Sequence, residues 1–382
     1  MRFHVLGLGS IGSLLSSHLR RALPESHSIT LIRKLPRYAF AAQARGSTIH
    51  VEQAGVVSTI TDFSAELFDA SQPQKVSSES PQPETEEKNN TIESLFITTK
   101  AHSTLSAIKH LLPRLTPNTT IVLLQNGMGV YERLVETVFR NPLRRPHFIL
   151  ASNTHGAFLK APNHVVHAGV GKIQFGIAPD ASGRQFDAAF RDEPYRAQLT
   201  DITTPNDPEF DKYKSLRNTV AALLLTDSLN TSWLPMDHIQ IAMRRKLVVN
   251  CVVNPLTALL NCLNGEIFRS DYGIHIMQCV CREAAEVFAT EHAQNASSEL
   301  DRVAYSLTAS ALEAECLRVA DVTGSNISSM LADVRAAKET EIDYLNGYLL
   351  GLGKKYNIKM PVNSILTDLI KMRSVIPLDQ NF

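Results

Sequence analysis

RFHVLGLGSIG, residues 2–12, joins an apolar strand to a glycine-rich turn and the beginning of a helix. In a dinucleotide-binding turn the first glycine allows a tight bend, the second lets a pyrophosphate approach, and the third lets helix and strand pack closely. The N-terminus of the following helix would direct its partial positive charge at the phosphates. An ordinary tight turn is the alternative. The residues that we predict to bind a dinucleotide are Gly7, Gly9, Ser10, Ile11 and Gly12.

Short apolar runs alternate with helical patterns through the first half of the chain, which is typical of a parallel sheet with crossover helices. Strands are predicted over residues 2–6, 28–32, 95–99 and 120–124, and helices over 11–23 and around 105–112. From Pro235 onward the pattern is helical, with helices predicted over residues 237–260, 274–291, 300–319, 327–353 and 362–372. We therefore predict an α/β Rossmann-type domain over residues 1–235 and an all-α domain over residues 236–382.

Two polar stretches interrupt the first domain. Residues 71–91 are rich in Ser, Pro, Gln and Glu, and cannot bury enough apolar surface to offset the cost of ordering. We expect a disordered surface loop there. Residues 180–211 are also predicted to be loop-like.

Bulk composition excludes several classes of protein. Lys and Arg together number 38, as do Asp and Glu, so there is no basic field for nucleic acid or an anionic membrane. The five cysteines form no CxxC pair, which argues against a zinc site or a disulfide framework and favours a reducing compartment. The first strand is predicted to begin at residue 2, so we expect no presequence, and the most apolar stretch, 247–260, is too short and too polar to span a bilayer. We expect a soluble, cytoplasmic protein without a metal.

Cofactor choice is indicated by Arg33, which ends the second strand about twenty residues after the glycines. An acidic residue there would hold the ribose 2′-hydroxyl of NADH, whereas arginine suits the 2′-phosphate of NADPH. Lys34 and Arg37 add positive charge, although a solvated basic turn is the alternative. Lys100 and Asn126 follow two further strands and are placed to edge the nicotinamide pocket, unless they are an ordinary surface lysine and loop.

The most informative segment is RRKLVVNCVVNPLT, residues 244–257. Lys246, Asn250 and Asn254 recur every four residues, so they share one face of an otherwise apolar helix. A polar ligand explains such a row better than packing does, although asparagines that bond neighbouring backbone remain the alternative. Pro255 cannot donate to the carbonyl of Cys251, so we expect the helix to kink or end there and leave Asn254 free to point into a site.

Two later segments carry further candidates. In residues 325–330, Asn326 and its neighbouring serines are typical of a helix N-cap, whose free backbone donors could hold a carboxylate or simply cap the helix. Glu341 borders the apolar stripe of a predicted helix, and its own pattern favours a solvated surface charge.

The chain resembles the ketopantoate reductase (2-dehydropantoate 2-reductase) family through GLGSIG, FITTK, LLQNGMG, THGAF, KLVVNCVVNPLTALLNCLNGE, SNISSM and TEIDYLNGYL. The resemblance implies a nucleotide-binding domain followed by a helical domain, with Lys246 as the catalytic lysine. It implies that Glu341 binds the substrate hydroxyl, against the surface-charge interpretation, and that Arg33, Lys100 and Asn126 lie on the cofactor side. The substrate-binding residues that it implies are Asn250, Asn254, Asn264, Asn326 and Ser329.

One departure from the family lies near the lysine, where many members carry a tryptophan two residues earlier and this chain has Arg244. The resemblance implies reduction of ketopantoate to pantoate by NADPH, in the pathway to pantothenate and coenzyme A, by a monomer or homodimer. The alternatives are a reductase of another branched 2-oxo acid, in which Glu341 would lack a hydroxyl to bind, and a non-enzymatic NADPH-sensing protein.

Overall fold

The computed structural model describes residues 1–33, 47–68, 90–180, 183–187, 190, 197–295 and 305–376. Lys34, Arg37 and residues 71–89 of the predicted disordered loop lie outside these ranges. The chain divides into two compact units, one of residues 1–125 and 131–239, the other of residues 126–130 and 240–382. The sequence predicts the boundary at residue 235 with Asn126 in the first domain, whereas Asn126 belongs to the second unit.

The first unit is built on one twisted sheet. Within the described residues its strands are β1 (Arg2–Leu6), β2 (Ser28–Arg33), β3 (Ser47–Gln53), β4 (Val56–Leu67), β5 (Ser94–Ile97), β6 (Thr120–Leu123), β7 (His147–Asn153), β8 (Gly156–Ala161), β9 (His164–Gly169), β10 (Ile173–Ile177) and β11 (Thr231–Trp233). Their order across the sheet is β11-β10-β7-β6-β5-β1-β2-β4-β3-β9-β8. The neighbours from β7 to β4 pair in parallel, as predicted.

The predicted strands are all present, and their parallel arrangement follows from their composition. β5 and β6 are buried along their whole length, which is the pattern of strands covered on both faces. Strands β3, β4 and β7–β11 were not predicted; β8 and β9 form an antiparallel hairpin, and β9 pairs in parallel with β3. Helices of this unit include α1 (Ser10–Ala22), α2 (Ala101–Leu111), α3 (Val130–Thr137), α4 (Leu199–Ile202) and α5 (Lys214–Leu224). Among the described residues of the loop predicted over 180–211, the structure has a short helix, α4.

The second unit is helical, which confirms the predicted fold class. Its helices are α6 (Met236–Leu260), α7 (Asp271–Asn295), α8 (Ala309–Val322), α9 (Ser329–Arg335), α10 (Asn346–Tyr356) and α11 (Pro361–Val375). Each unit has a hydrophobic core of its own, and that of the second unit gathers apolar residues from all six helices. In the part of the chain that the structure describes, no helix is both long and apolar enough to cross a membrane.

Two expectations about the helical unit differ from the structure. The helix predicted over 237–260 is present as α6, which does not end at Pro255 but continues to Leu260. The single helix predicted over 327–353 is divided into α9, a 3-10 turn over Ile342–Tyr344, and α10. Glu341 consequently lies at the beginning of a tight turn and not on a helix face.

Candidate active site

In the glycine turn between β1 and α1, close packing requires Gly7 and Gly12, whereas Gly9 leaves open space. A Cβ on Gly7, which has a φ of +103°, would lie 2.4 Å from the backbone nitrogen of Thr99, and one on Gly12 would lie 2.0 Å from the carbonyl oxygen of Gly7. A Cβ on Gly9 would meet no protein atom within 4 Å. Gly9 therefore keeps the surface open beside the N-terminus of α1, as the approach of a phosphate requires.

The beginning of α1 is suited to an anion. Gly9 is the N-cap residue and supplies no side-chain cap, and the first turn of α1 contains no acidic residue. The backbone N–H groups of this turn, where Ser10, Ile11 and Gly12 lie, have no partner inside the helix and carry its partial positive charge. The turn thus matches the pyrophosphate site predicted from GLGSIG.

Arg33, at the end of β2, is a buried cation. Its Nη1 donates to Oδ1 of Asn163 at 3.0 Å, while its Nε and Nη2 are buried and have no hydrogen-bond partner. Burial lowers the pKa of Arg33 from its ordinary value, and none of the described residues offers it a carboxylate. Nε and Nη2 form the side-on edge of the guanidinium, which bonds two oxygens of a phosphate or carboxylate at once. An unpaired buried guanidinium of this kind calls for an anion.

Lys100 lies at the N-cap position of α2, three residues after the end of β5. β1 and β5 are parallel neighbours, with Leu6 opposite Ile97. The hydroxyl of Thr98 donates to the carbonyl of Gly7, which fixes the glycine turn to the end of β5. Lys100 is therefore at the same edge of the sheet as the glycine turn, as the sequence predicted.

In the second unit the structure brings Lys246 and Asn126 together. Lys246 lies on α6, and its Nζ donates to Oδ1 of Asn126 at 2.9 Å. Asn126 is held by the next two residues. The N–H of Met128 donates to the carbonyl of Tyr344 at 3.0 Å, and Gly127, with a φ of +81°, lies so close that a Cβ would be 2.6 Å from the same oxygen.

The ammonium group of Lys246 is a stronger acid than that of an ordinary lysine. Burial lowers the pKa of Lys246 to about 8, and the negative charge of Glu341 opposes this shift. Although part of the side chain reaches solvent, the surroundings of the ammonium are desolvated enough for burial to dominate. A lysine with a pKa near neutrality is able both to stabilise a developing negative charge and to give up a proton.

Glu341 is buried, with 5% of its surface exposed, and lies at the N-cap position of the 3-10 turn. Its backbone carbonyl accepts from the N–H of Tyr344 at 3.0 Å. The pattern-based expectation of a solvated helix charge is therefore wrong, and the position implied by the family resemblance fits the burial. A buried carboxylate is costly unless nearby charges and donors stabilise it, and Lys246 is one such charge.

The asparagine row of α6 is continued by a link to α9. Asn250 is half-buried and Asn254 is buried. The hydroxyl oxygens of Thr257, on α6, and Ser328, the N-cap residue of α9, lie 2.7 Å apart. Ser328, rather than Asn326, caps the helix, because its Oγ accepts from the N–H of Leu331.

Asn264 and Asn326 are also adjacent. The backbone N–H of Asn264 donates to the carbonyl of Asn326 at 3.0 Å, and its side-chain Nδ2 donates to Oγ1 of Thr323. Asn264 is buried and its Oδ1 has no hydrogen-bond partner, whereas Asn326 and Ser329 are exposed. A buried acceptor without a donor is costly, and a ligand donor would remove that cost.

Arg244 takes the place of the family's tryptophan, and its positive charge is compensated by an ion pair. Its Nη2 lies 2.7 Å from Oε2 of Glu291, and its guanidinium lies 5.3 Å from the ring centre of Phe288; both partners are on α7. The flat guanidinium thus supplies a stacking surface like that of an indole, together with an ion pair.

Asn346 is not among the residues predicted from the sequence, although it lies within the TEIDYLNG segment that carries the family resemblance. Asn346 is completely buried and its Nδ2 donates to the backbone carbonyl of Cys251 on α6. The available signal was Pro255, because the carbonyl that a proline leaves without a helical donor must find another one.

Comparison with known proteins supports the arrangement of both units. Residues 3–180 match the family model described as ketopantoate reductase PanE/ApbA, and residues 238–374 match the model of its C-terminal domain. The chain is 31% identical over 279 residues to 2-dehydropantoate 2-reductase of Shigella flexneri, covering 73% of each protein. It is 25% identical to the probable 2-dehydropantoate 2-reductase of Schizosaccharomyces pombe, covering 97% of this chain and 95% of that protein.

Solved structures share the fold across nearly the whole chain. D-mandelate dehydrogenase in complex with NADH and anilino(oxo)acetate aligns with a TM-score of 0.68 at 18% identity, covering 98% of each chain. The PanE/ApbA family ketopantoate reductase from Ralstonia eutropha aligns with a TM-score of 0.66 at 20% identity, again covering 98% of each chain. These structures show the shared fold, and the family match given above supports the prediction of an oxidoreductase.

Proposed function

Because the chain belongs to the ketopantoate reductase family, we propose that it uses NADPH to reduce ketopantoate to pantoate in the route to pantothenate and coenzyme A. The balanced reaction is 2-oxo acid, NADPH and a proton giving 2-hydroxy acid and NADP⁺. The observation that carries the proposal is the pairing of Lys246 with Asn126 beside a buried Glu341. A proton donor and a carboxylate are the two groups that a hydroxylated 2-oxo acid would need.

The residues of the first unit fit a cofactor with a 2′-phosphate. The open surface at Gly9 and the uncapped start of α1 suit the pyrophosphate. The buried edge of Arg33 lacks an anion, and a 2′-phosphate would supply one, whereas the 2′-hydroxyl of NADH would leave the guanidinium uncompensated. Lys100, at the same sheet edge, and Asn126 complete the cofactor-side residues of the proposal.

NADPH, when bound, supplies the hydride that reduces the keto carbon. The protein's contribution begins with the ammonium of Lys246, which donates a hydrogen bond to the keto oxygen. This bond strengthens as negative charge develops on that oxygen, so it stabilises the transition state more than the ground state. Lys246 then gives up its proton to the oxygen, which its lowered pKa facilitates. Asn126 orients the ammonium by accepting one of its bonds.

Glu341 accepts a hydrogen bond from the substrate's hydroxyl. The remaining substrate-binding residues hold the carboxylate and the carbon skeleton of the substrate. Their amide and hydroxyl groups are donors that suit an anion. Asn254 and Asn264 are buried, and buried amide groups need hydrogen-bond partners, some of which a ligand would supply. The residues to which we assign this part are Asn250, Asn254, Asn264, Asn326 and Ser329.

The proposal is tested by following NADPH absorbance with ketopantoate and with trimethylpyruvate, which has the same branched skeleton without the hydroxyl. We expect ketopantoate to be reduced with the higher kcat/KM. Glu341→Ala should lower kcat/KM for ketopantoate by roughly tenfold or more and lower that for trimethylpyruvate less, because an unpaired hydroxyl costs about 1–3 kcal/mol. Equal rates for the two substrates in the wild type would indicate another branched 2-oxo acid, and absence of NADPH oxidation with either would contradict an enzymatic role on this substrate class.

A further inference from the structure

The middle of α6 contains a carbonyl that its own helix cannot bond. The residue four positions after Cys251 is Pro255, which has no N–H, so the carbonyl of Cys251 loses its helical donor. Nδ2 of Asn346 donates to this carbonyl at 3.0 Å. Because the missing bond is replaced by a side chain, α6 can continue beyond the proline to Leu260.

The orientation of Asn346 is fixed by a chain of buried partners. Its Nδ2 also donates to Oδ1 of Asn363 at 2.9 Å, and Nδ2 of Asn363 donates to Oε2 of Glu283 at 2.7 Å. A carboxylate and a backbone carbonyl only accept, so neither amide can be turned round without opposing two acceptors. Glu283 also accepts from the N–H groups of Val362 and Asn363 at the beginning of α11.

This bond connects the two segments that carry the reacting groups of the second unit. Asn346 begins α10 and follows Glu341 by five positions, with the 3-10 turn between them. Cys251 follows Lys246 by five positions on α6. The link between Asn346 and Cys251 therefore ties the Glu341 segment to the helix that carries Lys246.

We propose that Asn346 is a positioning residue, which sets Glu341 relative to Lys246 by bonding the carbonyl that Pro255 leaves without a donor. The inference rests on the proposed function, since Glu341 and Lys246 are its reacting groups. Asn346 acts through these residues and is not itself assigned a contact with substrate. The proline and the asparagine form a matched pair: each accounts for the presence of the other.

The pairing predicts that one substitution rescues the other. Asn346→Leu removes the donor and should raise KM for ketopantoate about tenfold, which corresponds to about 1.4 kcal/mol, with a smaller change in kcat. Pro255→Ala restores a backbone N–H to the Cys251 carbonyl, so Pro255→Ala alone should leave KM within about twofold of wild type. The double variant should return KM most of the way to the wild-type value, because the carbonyl again has a donor from its own helix.

A second measurement needs no substrate. The charge of Glu341 acts on the Lys246 ammonium, and Asn126, which accepts a hydrogen bond from it, is neutral. Labelling of Lys246 by an amine-reactive reagent, followed by mass spectrometry across a pH series, reports its titration. Asn346→Leu should move the labelling curve to lower pH, because displacement of Glu341 removes a charge that favours the ammonium; the double variant should return it towards wild type.

Ser374→Ala is the matched control, because it removes a part-buried side-chain bond to the carbonyl of Ile370 within α11 of the same unit, away from Asn346 and its partners. It should lower stability without changing KM or the labelling curve. If Asn346→Leu behaves like this control, or if the double variant keeps the defects of the single one, the positioning role is overturned. If wild-type protein fails to reduce ketopantoate, the proposed function is wrong, and the labelling series still decides whether Asn346 positions Glu341.

Discussion

Nζ of Lys246 donates a 2.9 Å hydrogen bond to Oδ1 of Asn126, a residue 120 positions earlier in the chain. An amide oxygen can only accept, so this bond directs one of the three ammonium donors and limits the rotation of a long, flexible side chain. Gly127 and Met128 fix Asn126 against Tyr344. In the proposed reaction, an ammonium held in this way needs little reorganisation when charge develops on a bound substrate.

Replacement of Lys246 is expected to affect turnover and not cofactor affinity. Lys246→Ala should lower kcat by roughly 10²- to 10⁴-fold, the usual contribution of a placed general acid. NADPH binding, measured by fluorescence titration, should be nearly unchanged because the proposed phosphate contacts come from the first unit. Lys371→Ala is a control from the same unit, since it removes a lysine that pairs with Asp343 at 2.6 Å. Wild-type turnover in Lys246→Ala would exclude its proposed role.

The pH dependence of kcat should report the titration of Lys246. In the proposed reaction the ammonium is the proton donor, and its pKa is about 8, so kcat at saturating substrate should fall as the pH rises through about 8. Because the charge of Glu341 raises this pKa, Glu341→Gln should move the falling limb to lower pH. Glu291→Gln, which removes the carboxylate that pairs with Arg244, serves as the control and should leave the limb in place. If the falling limb stays in place in Glu341→Gln, the charge of Glu341 does not influence the titration of Lys246.

The parallel sheet and most helices could be predicted because their signals are local. β1, the glycine turn and α1 follow from eleven consecutive residues, and α6 follows from its apolar composition. The β8–β9 hairpin could not be predicted in this way, because β8 is an edge strand whose residues are mostly exposed and show no clean apolar alternation.

The errors at the site arose where a distant residue overrides a local rule. Pro255 should end a helix on its own, but the donor that compensates for it, Asn346, lies 95 positions from Cys251. The pattern around Glu341 suggested a solvated charge because sequence periodicity cannot report burial by other segments. The family resemblance corrected this second error, since it assigns a role by motif and not by local pattern. Neither route identified Asn126 as a partner of Lys246.

Arg33 is expected to determine the choice between NADPH and NADH. Arg33→Ala should lower the affinity for NADPH about ten- to a hundredfold, since hydrogen bonds to charged groups contribute about 1.5–3 kcal/mol each. NADH, which lacks the 2′-phosphate, should be much less affected. Arg114→Ala, which removes another arginine of the first unit that already pairs with Glu66, should not change the ratio of the two affinities. Equal weakening of both cofactors by Arg33→Ala would contradict a 2′-phosphate contact.

Buried histidines of the first unit should make its stability fall in acid. Burial lowers the pKa of His4 and of His18 to about 4, from an unfolded value of 6.5. Above pH 6.5 both states are neutral, so these groups add no pH dependence there. As the pH falls from 6.5 to about 4, the unfolded state binds protons that the folded state does not, so the free energy of unfolding decreases.

His4 is the sharper test of this effect, because it is 4% exposed and lies in the central strand β1. The charges around it partly cancel: the carboxylates of Glu66 and Glu93 raise its pKa, and the guanidinium groups of Arg2 and Arg114 lower it, so burial dominates. A shift of one pKa unit corresponds to about 1.4 kcal/mol, so His4 alone should account for about 3 kcal/mol between pH 6.5 and 4.

Urea unfolding of wild type and His4→Gln at several pH values checks this prediction. Glutamine does not titrate, so the variant, whatever its stability at neutral pH, should lose less free energy of unfolding on acidification than the wild type does. His110→Gln is the control, because His110 is exposed at the end of α2 and its replacement should leave the slope against pH close to that of wild type. If His4→Gln and His110→Gln lose stability with the same slope, the acid sensitivity comes from other groups and the buried, neutral state of His4 is contradicted.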